Sequence, residues 1–200
     1  VLDAAENQWL AQAKALRLED FPPALRLDLP DWLYARLLVQ LGAEDTEHLA
    51  LQLNQAAPLD LRVNPLKAER DALLARLRAD GIHAVPGDYS PLAMRLADKP
   101  ALARHPAFLD GSFEVQDEGS QLLGYLVQPR RGEMVADFCA GAGGKTLLLG
   151  ALMRSQGRLY AFDIAEKRLA KLKPRLARSG LSNVHPVRIE SEHDARLKRL

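Results

Sequence analysis

The glycine-rich turn at residues 141–144 constrains the fold more than any other feature of this sequence. An apolar run at 134–136 and Asp137 precede the turn, and a helix is predicted after it, over about 145–153. Glycine permits the tight strand-to-helix turn that this order requires. A second strand is predicted at 158–162. Strand, turn, helix and strand in this order predict a doubly wound parallel sheet.

The same alternation continues to the end of the sequence. Asp163 ends the second strand, a helix is predicted over 165–179, and a third strand over 184–189. Pro174 is expected to kink or split that helix, because proline lacks the N–H that an α-helix needs. A further helix is predicted over 193–200. Parallel sheets of this class usually have more than three strands, so we expect this one to be incomplete.

Three segments are predicted along the chain. Residues 1–58 form a helical lead-in, in which leucines recur at helical spacing and prolines separate one helix from the next. Residues 59–115 form a small α+β unit: 59–63 alternates apolar and polar residues as a strand does, and 66–80 has the apolar spacing of a helix. Residues 116–200 form the first part of the α/β domain.

The sequence has a single cysteine, which excludes an internal disulfide framework and a cysteine-cluster metal site. One cysteine is also typical of a reducing compartment. No apolar run reaches the ~18 residues of a membrane span, and residues 1–20 are too acidic for a signal peptide. We therefore expect a cytoplasmic protein with no metal centre and no membrane partner. The sequence defines no oligomeric state.

The net charge of +1 conceals an uneven distribution of charged residues. Residues 1–128 hold 12 Lys+Arg against 19 Asp+Glu, whereas residues 129–200 hold 15 against 7. The basic part favours a polyanionic partner. The alternative is that its Lys and Arg side chains only solvate helix faces, and charge alone leaves both interpretations open.

Several classes of ligand use glycines in such a turn. A phosphate-binding loop GxxxxGK[ST] would need glycine where Cys139 stands, and a dinucleotide fingerprint GxGxxG would need it in place of Thr146. S-adenosylmethionine fits better: N–H groups of the turn can bind its carboxylate, and Asp137 can lie near its ammonium. Asp163, 20 residues beyond Gly143, can accept hydrogen bonds from ribose hydroxyls. A phosphate-binding loop, a dinucleotide site and a turn that binds no ligand remain as alternatives.

The run Asp-Phe-Cys-Ala-Gly-Ala-Gly-Gly-Lys-Thr at 137–146 resembles the cofactor motif of the Sun-type RNA (cytosine-5) methyltransferases, which include bacterial 16S rRNA methyltransferases. Residues 115–121 resemble the family's QDxxSQ segment, and Leu-Arg-Val-Asn at 61–64 resembles the strand that opens its RNA-binding subdomain. The resemblance spans about residues 30–200. It implies a Rossmann-like class I methyltransferase sheet, preceded by a small RNA-binding subdomain at 59–115.

The resemblance also implies roles for individual residues. Asp163 would bind the ribose of S-adenosylmethionine, and Arg168 would support that edge. Asp194 is the candidate for the acid near the adenine, with Glu190 and Glu192 as competitors, and it could equally lie on a solvated face. The residues that would line the methionine moiety are Cys139, Ala140, Gly141, Ala142, Gly143, Gly144 and Lys145.

Methylation of cytosine C5 needs a thiolate that adds to C6. In the family, this cysteine and a second one follow the fourth and fifth strands, whereas Cys139 belongs to the cofactor turn, where a buried packing role is expected. We therefore expect a fragment of a longer enzyme that holds the cofactor-binding part and is inactive alone. The alternatives are a non-catalytic RNA-binding module and a nucleotide hydrolase that uses Lys145 and Thr146.

RNA, most specifically 16S rRNA, is the partner that the resemblance implies. Arg62 and Asn64 of the small α+β unit are candidates for polar contacts with it. A basic set in the helix at 165–179 could contact phosphates, although its members do not all share one helical face. That set is Lys167, Arg168, Lys171, Lys173, Arg175 and Arg178.

Overall fold

A computed structural model describes residues 2–197 of the chain. The chain divides into two compact units, Val1–Ala57 and Pro58–Leu200. Among the described residues, none of the helices combines the length and the apolar character needed to cross a membrane. Within the same residues, no group of three or more His, Cys, Asp or Glu side chains is placed to hold a metal ion.

The first unit is helical. Asp3 caps its first helix, since its carboxylate accepts a hydrogen bond from the N–H of Glu6 at 2.8 Å, and the Glu6 carboxylate accepts one from the N–H of Asp3 at 2.8 Å. Gly42, with a φ of +82°, separates the last two helices. The helices are α1 (Ala4–Ala15), α2 (Pro23–Arg26), α3 (Asp31–Leu41) and α4 (Ala43–Leu53).

The second unit begins with a small antiparallel sheet in the strand order β2-β3-β1-β4. Alternation in β1 places Leu61 and Val63 on one face, where Leu73 and Leu77 of α5 cover them in a single apolar cluster. Burying each such side chain contributes about 1.5–3 kcal/mol. The elements are β1 (Leu59–Val63), α5 (Arg70–Ala79), β2 (Ala84–Pro86), β3 (Ala93–Leu96), α6 (Pro106–Leu109) and β4 (Phe113–Val115).

A parallel sheet in the order β5-β6-β7 completes the second unit. Helix α7 precedes it and is capped by Asp117, which accepts a hydrogen bond from the N–H of Ser120 at 2.9 Å. Because the strands are parallel, their carboxyl ends share one edge, where Asp137 and Asp163 lie. The elements are α7 (Glu118–Val127), β5 (Met134–Asp137), α8 (Gly144–Leu152), β6 (Arg158–Asp163), α9 (Glu166–Ser179) and β7 (Val184–Arg188).

The core of the parallel part lies between its strands and its two helices. Leu147 of α8 and Met153, the residue after that helix, pack in one cluster with Leu159 of β6 and Leu172 of α9, and each is at most 2% exposed. This packing fixes where α8 starts relative to β6, and therefore fixes the two ends of the glycine turn.

The predicted fold class is confirmed: a helical part and a small α+β part precede a partial parallel α/β sheet. Two local predictions differ from the structure in part. Of the kink or split expected at Pro174, the split does not occur, since α9 runs unbroken over Glu166–Ser179 with Leu169 and Leu172 buried against the sheet. Residues 193–196 are turns and irregular backbone, so the helix predicted over 193–200 does not begin at His193, and positions 198–200 lie outside the described residues.

Candidate functional site

The turn between β5 and α8 is held by backbone hydrogen bonds. The N–H of Ala140 donates to the carbonyl oxygen of Phe162 at 2.8 Å, and the N–H of Gly143 donates to that of Ala140 at 2.8 Å. Gly143 has a φ of +83°, and a Cβ at this position would overlap Cδ1 of Leu172. Any other residue at this position would introduce both backbone strain and a clash with Leu172.

Asp163 lies at the end of β6 and is 4% exposed. Its Oδ2 accepts a hydrogen bond from the N–H of Gly141 at 2.8 Å, and its Oδ1 accepts one from the N–H of Ala165 at 2.8 Å. Nη1 of Arg168 lies 4.0 Å from Oδ2. Since each carboxylate oxygen has two lone pairs, Asp163 can organise the turn and still accept a hydrogen bond from a ligand.

Asp137 and Thr146 form a second link across the turn. The hydroxyl of Thr146 donates to Oδ2 of Asp137 at 2.6 Å, and Thr146 is fully buried. In a phosphate-binding loop this hydroxyl would coordinate Mg²⁺ and would have to be accessible. The geometry therefore does not support the nucleotide hydrolase that was the third possibility from the sequence.

The N-terminus of α8 is suited to an anionic group. Gly143 at the N-cap offers no side-chain cap, and the first turn of the helix has no acidic residue. The N–H groups of residues 144–146 have no acceptor within the helix, and the helix dipole adds positive potential at this end. Lys145 is exposed at the same end.

A cleft of about 240 Å³ opens at this helix end, and we call it the turn cleft. Gln116 lies in its wall and is 7% exposed; within residues 2–197 its Nε2 has no hydrogen-bond partner. A buried amide N–H without a partner costs about 1–3 kcal/mol, which a bound acceptor would offset. The predicted site residues that line the turn cleft are Cys139, Ala140, Gly141, Ala142, Gly144, Lys145 and Arg168.

A second cleft, of about 300 Å³, lies beside the first and is called here the strand-end cleft. Cys139 and Arg168 line both clefts, so the two are contiguous. Asp163 lines the strand-end cleft, and the apolar side chains of Phe138 and Ile164, 44% and 64% exposed, also border it. Two exposed apolar side chains beside a carboxylate suit a ligand with a flat ring and neighbouring hydroxyls.

The three acids that compete for the adenine side occupy different places. Asp194 lines neither cleft. Its Oδ2 accepts hydrogen bonds from Nη2 of Arg196 at 2.6 Å and from the N–H of Glu190 at 2.9 Å. The hydrogen bonds from Arg196 hold the pKa of Asp194 well below its usual range. Glu190 and Glu192 line the strand-end cleft, so the structure brings these two acids, and not Asp194, to the cleft that Asp163 lines.

Cys139 is exposed. The predicted buried packing role is therefore wrong, because the residue follows the edge strand β5 and borders both clefts instead of facing the core.

Arg62 and Asn64 are buried, at 2% and 6% exposed, so their prediction as RNA contacts was wrong. Nη1 of Arg62 donates to the carbonyl oxygen of Gly144 at 2.8 Å and also to Oε1 of Gln116. Nδ2 of Asn64 donates to the carbonyl oxygen of Ser179 at 2.8 Å. The physical reason is that the parallel-sheet part of the unit covers the polar face of β1.

The basic residues of α9 separate into three sets, the first of which is Arg168 beside Asp163. Arg175 and Arg178 turn toward Glu114 of β4, with N–O distances of 2.9 and 2.7 Å. The remaining lysines are exposed and form no ion pair within the part of the chain that the structure describes. These lysines are Lys167, Lys171 and Lys173.

Sequence reasoning missed Glu114, Gln116 and the contact of Arg175 with the turn. Gln116 could have been singled out, because it begins the QDxxSQ segment. That segment does not indicate that Gln116 lies beside the turn. Glu114 is opposite Arg62 in the sheet register, a pairing that only the strand order reveals.

A larger cleft, of about 380 Å³, lies at the outer edge of the small sheet and is lined in part by Arg78, His83 and Arg95. It is far less suited to a ligand that needs free cationic groups, because Arg95 is already paired with Asp60 at 2.9 Å and Glu118 at 3.2 Å. The two clefts beside the glycine turn hold predicted site residues and the larger cleft holds none of them, so the two clefts are the candidate site.

Comparison with known families gives two matches along the chain. Residues 29–103 match the RsmF/B-like ferredoxin-like domain of methyltransferases. Residues 124–197 match the family described as 16S rRNA methyltransferase RsmB/F. The second range contains the glycine turn and the whole lining of the strand-end cleft, whereas Gln116 and Ser120 of the turn cleft lie before it.

Individual relatives agree with these matches. The ribosomal RNA small subunit methyltransferases B of Proteus mirabilis and Klebsiella pneumoniae are 35% and 33% identical, over 74% and 90% of this chain. The chain spans 35% and 42% of their lengths. A crystal structure of a methyltransferase homolog protein from Pyrococcus horikoshii superposes with a TM-score of 0.76 at 31% identity, over 86% of this chain and 57% of that one.

The two family matches lie in the same order as the motifs, and the relatives extend across both of them. The chain belongs to the Sun-type, RsmB/F family of 16S rRNA methyltransferases, whose motifs its sequence resembles.

Proposed function

We propose that the turn cleft and the strand-end cleft together bind S-adenosylmethionine, and that this chain is the cofactor-binding part of an RNA cytosine-C5 methyltransferase acting on 16S rRNA. The observation that carries the proposal is the contiguity of the two clefts. They share Cys139 and Arg168 and lie at the carboxyl ends of the parallel strands, where ligands of open α/β sheets bind.

The turn cleft takes the amino-acid end of the ligand. Its carboxylate lies at the uncapped N-terminus of α8, near the exposed Lys145. The orphaned amide of Gln116 supplies a further donor. Asp137 borders the same cleft and stabilises the ammonium group. The residues present therefore fit a zwitterionic ligand.

The strand-end cleft takes the nucleoside. Asp163 accepts hydrogen bonds from the ribose hydroxyls, and Arg168, whose Nη1 lies 4.0 Å from Oδ2 of Asp163, borders the same edge of the cleft. Phe138 and Ile164 contact the two faces of the adenine, and Glu190 is the acid nearest its amino group in this proposal.

When bound, S-adenosylmethionine supplies the methyl group. Addition of a thiolate to C6 of cytosine makes C5 nucleophilic, and the thiolate must lie on the substrate side of the donor. Cys139, the single cysteine of the sequence, lines the cofactor clefts instead. We place the nucleophile in a part of the enzyme outside these 200 residues, consistent with the chain's spanning about a third of its relatives' length.

RNA is the proposed partner, and the exposed lysines of α9 are the proposed phosphate contacts. Replacing Lys167 and Lys171 by Ala should lower the slope of log affinity against log salt by roughly one per lysine. The matched control is Lys14→Ala, an exposed lysine of α1. An unchanged slope would remove α9 from the RNA-binding surface.

The alternative function is a non-catalytic RNA-binding module, which the position of the single cysteine favours. Titration calorimetry with S-adenosylmethionine separates it from the proposed function. We expect binding at one site, reduced at least about tenfold in Asp163→Ala, since a buried charged hydrogen bond contributes about 1.5–3 kcal/mol. Absence of binding, with RNA binding retained, would favour the module.

A further inference from the structure

Two arginines donate hydrogen bonds to backbone carbonyl groups of the glycine turn. Nη1 of Arg62 donates to the carbonyl oxygen of Gly144 at 2.8 Å, and Nη1 of Arg175 donates to that of Ala142 at 2.8 Å. Arg62 belongs to β1 and Arg175 to α9, so two distant segments meet at one turn. Hydrogen bonds from guanidinium groups are stronger than neutral ones.

Both arginines are themselves fixed by the last strand of the small sheet. Nε of Arg175 donates to Oε2 of Glu114 at 2.9 Å, and Glu114 is opposite Arg62 in the register of β1 and β4. Arg62 also donates to Gln116, one residue after β4 ends. The small sheet thus sets the position of both guanidinium groups.

The cluster carries more positive than negative charge. Three guanidinium groups, from Arg62, Arg175 and Arg178, surround the single carboxylate of Glu114, which is 4% exposed. Burial lowers the pKa of Arg62 to about 10, with the charge of Glu114 opposing the shift and that of Arg175 adding to it. Arg62 therefore stays protonated at neutral pH and places a charge directly behind the turn.

We propose that Arg62 and Arg175 are positioning residues for S-adenosylmethionine, through which the docking of the small sheet sets the shape of the cofactor turn. The proposal rests on the function proposed above. A peptide unit is planar, so an arginine that holds the carbonyl of Gly144 directs the N–H of Lys145 to the opposite side. Lys145 lines the turn cleft. The arginines thereby preorganise the donors on which the carboxylate of the ligand depends.

Arg178 provides a matched control, because it belongs to the same helix and pairs with the same carboxylate. Its side chain is 18% exposed, against 19% for Arg175. Within the described residues, its polar contacts include none with the turn. Arg175→Met and Arg178→Met therefore remove the same charge from Glu114, and only the first removes the hydrogen bond to Ala142.

Two measurements on the 200-residue chain test the proposal. The first is calorimetric titration with S-adenosylmethionine: the dissociation constant should rise about tenfold in Arg175→Met and stay within about twofold of the wild type in Arg178→Met. Arg175→Lys, which keeps a cationic donor, should restore part of the affinity. Because Arg62 is fully buried, Arg62→Lys is the only substitution suggested there, and, like Arg175→Lys, it should weaken binding less than Arg175→Met does.

The second measurement needs no ligand. Hydrogen–deuterium exchange at the amides of Gly143 and Leu147, which close the turn and the first helical turn, should accelerate about tenfold in Arg175→Met only. The amide of Val63, bonded to Leu92 in the small sheet, reports general loosening and should not separate the two variants.

The outcomes are distinct. Equal changes in both variants, or no change in either, would overturn the positioning role. If the wild-type chain fails to bind S-adenosylmethionine, the proposed function is wrong, and the exchange comparison still decides whether Arg175 holds the turn.

Discussion

The carboxylate of Asp163 accepts a hydrogen bond from the backbone N–H of Gly141 at 2.8 Å, so one side chain joins the end of β6 to the turn before α8. At the next residue of that turn, Arg175 donates a hydrogen bond to the carbonyl oxygen of Ala142. The turn is therefore held by two side chains that belong to other elements. The shape of the turn therefore depends on the packing of the assembled unit as well as on the conformational freedom of its glycines.

The close packing of Gly143 predicts a specific loss of stability on substitution. Gly143→Ala should lower the free energy of unfolding by about 2–4 kcal/mol, because it adds both strain at a positive φ and a clash with Leu172. Gly132→Ala is the control: Gly132 has the same φ of +83° with nothing within 4 Å, so only about 1 kcal/mol should be lost. Urea unfolding measures both. Equal losses would show that the contact with Leu172 does not matter.

The pairing of Arg95 with two buried carboxylates predicts how stability depends on pH. Burial by itself raises the pKa of Asp60 and Glu118, but hydrogen bonds outweigh it, from Arg95 to Asp60 and from backbone N–H groups to Glu118. Both pKa values lie below their ordinary ones. The folded state binds these protons less readily than the unfolded state, so this stability is present above about pH 5 and is lost as pH falls below about 4.

Arg95→Met should weaken that dependence. Without the cation, Asp60 loses its largest stabilising hydrogen bond, whereas Glu118 keeps those from backbone N–H groups, so the variant should lose less of its remaining stability than the wild type as pH falls below about 4. At pH 7 the loss should be about 2 kcal/mol. Arg70→Met, which removes an exposed pair with Asp71, should cost under about 1 kcal/mol without changing the pH dependence. Identical pH profiles for wild type and Arg95→Met would refute the role of Arg95.

The order of elements in the second unit could be predicted from the sequence because it depends on local periodicity and on turn chemistry. The sequence places a glycine turn at 141–144 and an acid at 163, as a parallel α/β sheet requires. From these two features the order β5, α8, β6, α9 and β7 could be predicted. The alternation of apolar and polar residues over 59–63 predicted a strand, and β1 is observed over Leu59–Val63.

The parts that could not be predicted depend on which surfaces meet. Arg62 alternates with apolar residues and was predicted to contact RNA, and only the docking of the parallel part buries it. Pro174 remains within a continuous helix because tertiary packing of α9 overrides its local preference. Cys139 lies at the open edge of a sheet, a position that composition does not reveal.

The exposure of Cys139 offers a direct probe of the clefts. As the single cysteine, it should react with a disulfide reagent in the native state, at a rate that does not increase with urea below the unfolding transition. S-adenosylmethionine at ten times its dissociation constant should slow the reaction about tenfold, because the residue lines both clefts. Asp163→Ala should lose this protection. A thiol that reacts only after unfolding would contradict the structure at this position.

The central claim, that S-adenosylmethionine binds where β5 and β6 end, is tested most directly by titrating the ¹⁵N-labelled chain with the ligand. Chemical shifts should change at the amides of 139–145 and 163–168, with the edge of the small sheet at Arg78 and His83 unaffected. The same titration of a folded Asp163→Ala variant should show these changes only at ligand concentrations at least about tenfold higher. No shifts at all, or shifts confined to the small sheet, would contradict the assignment.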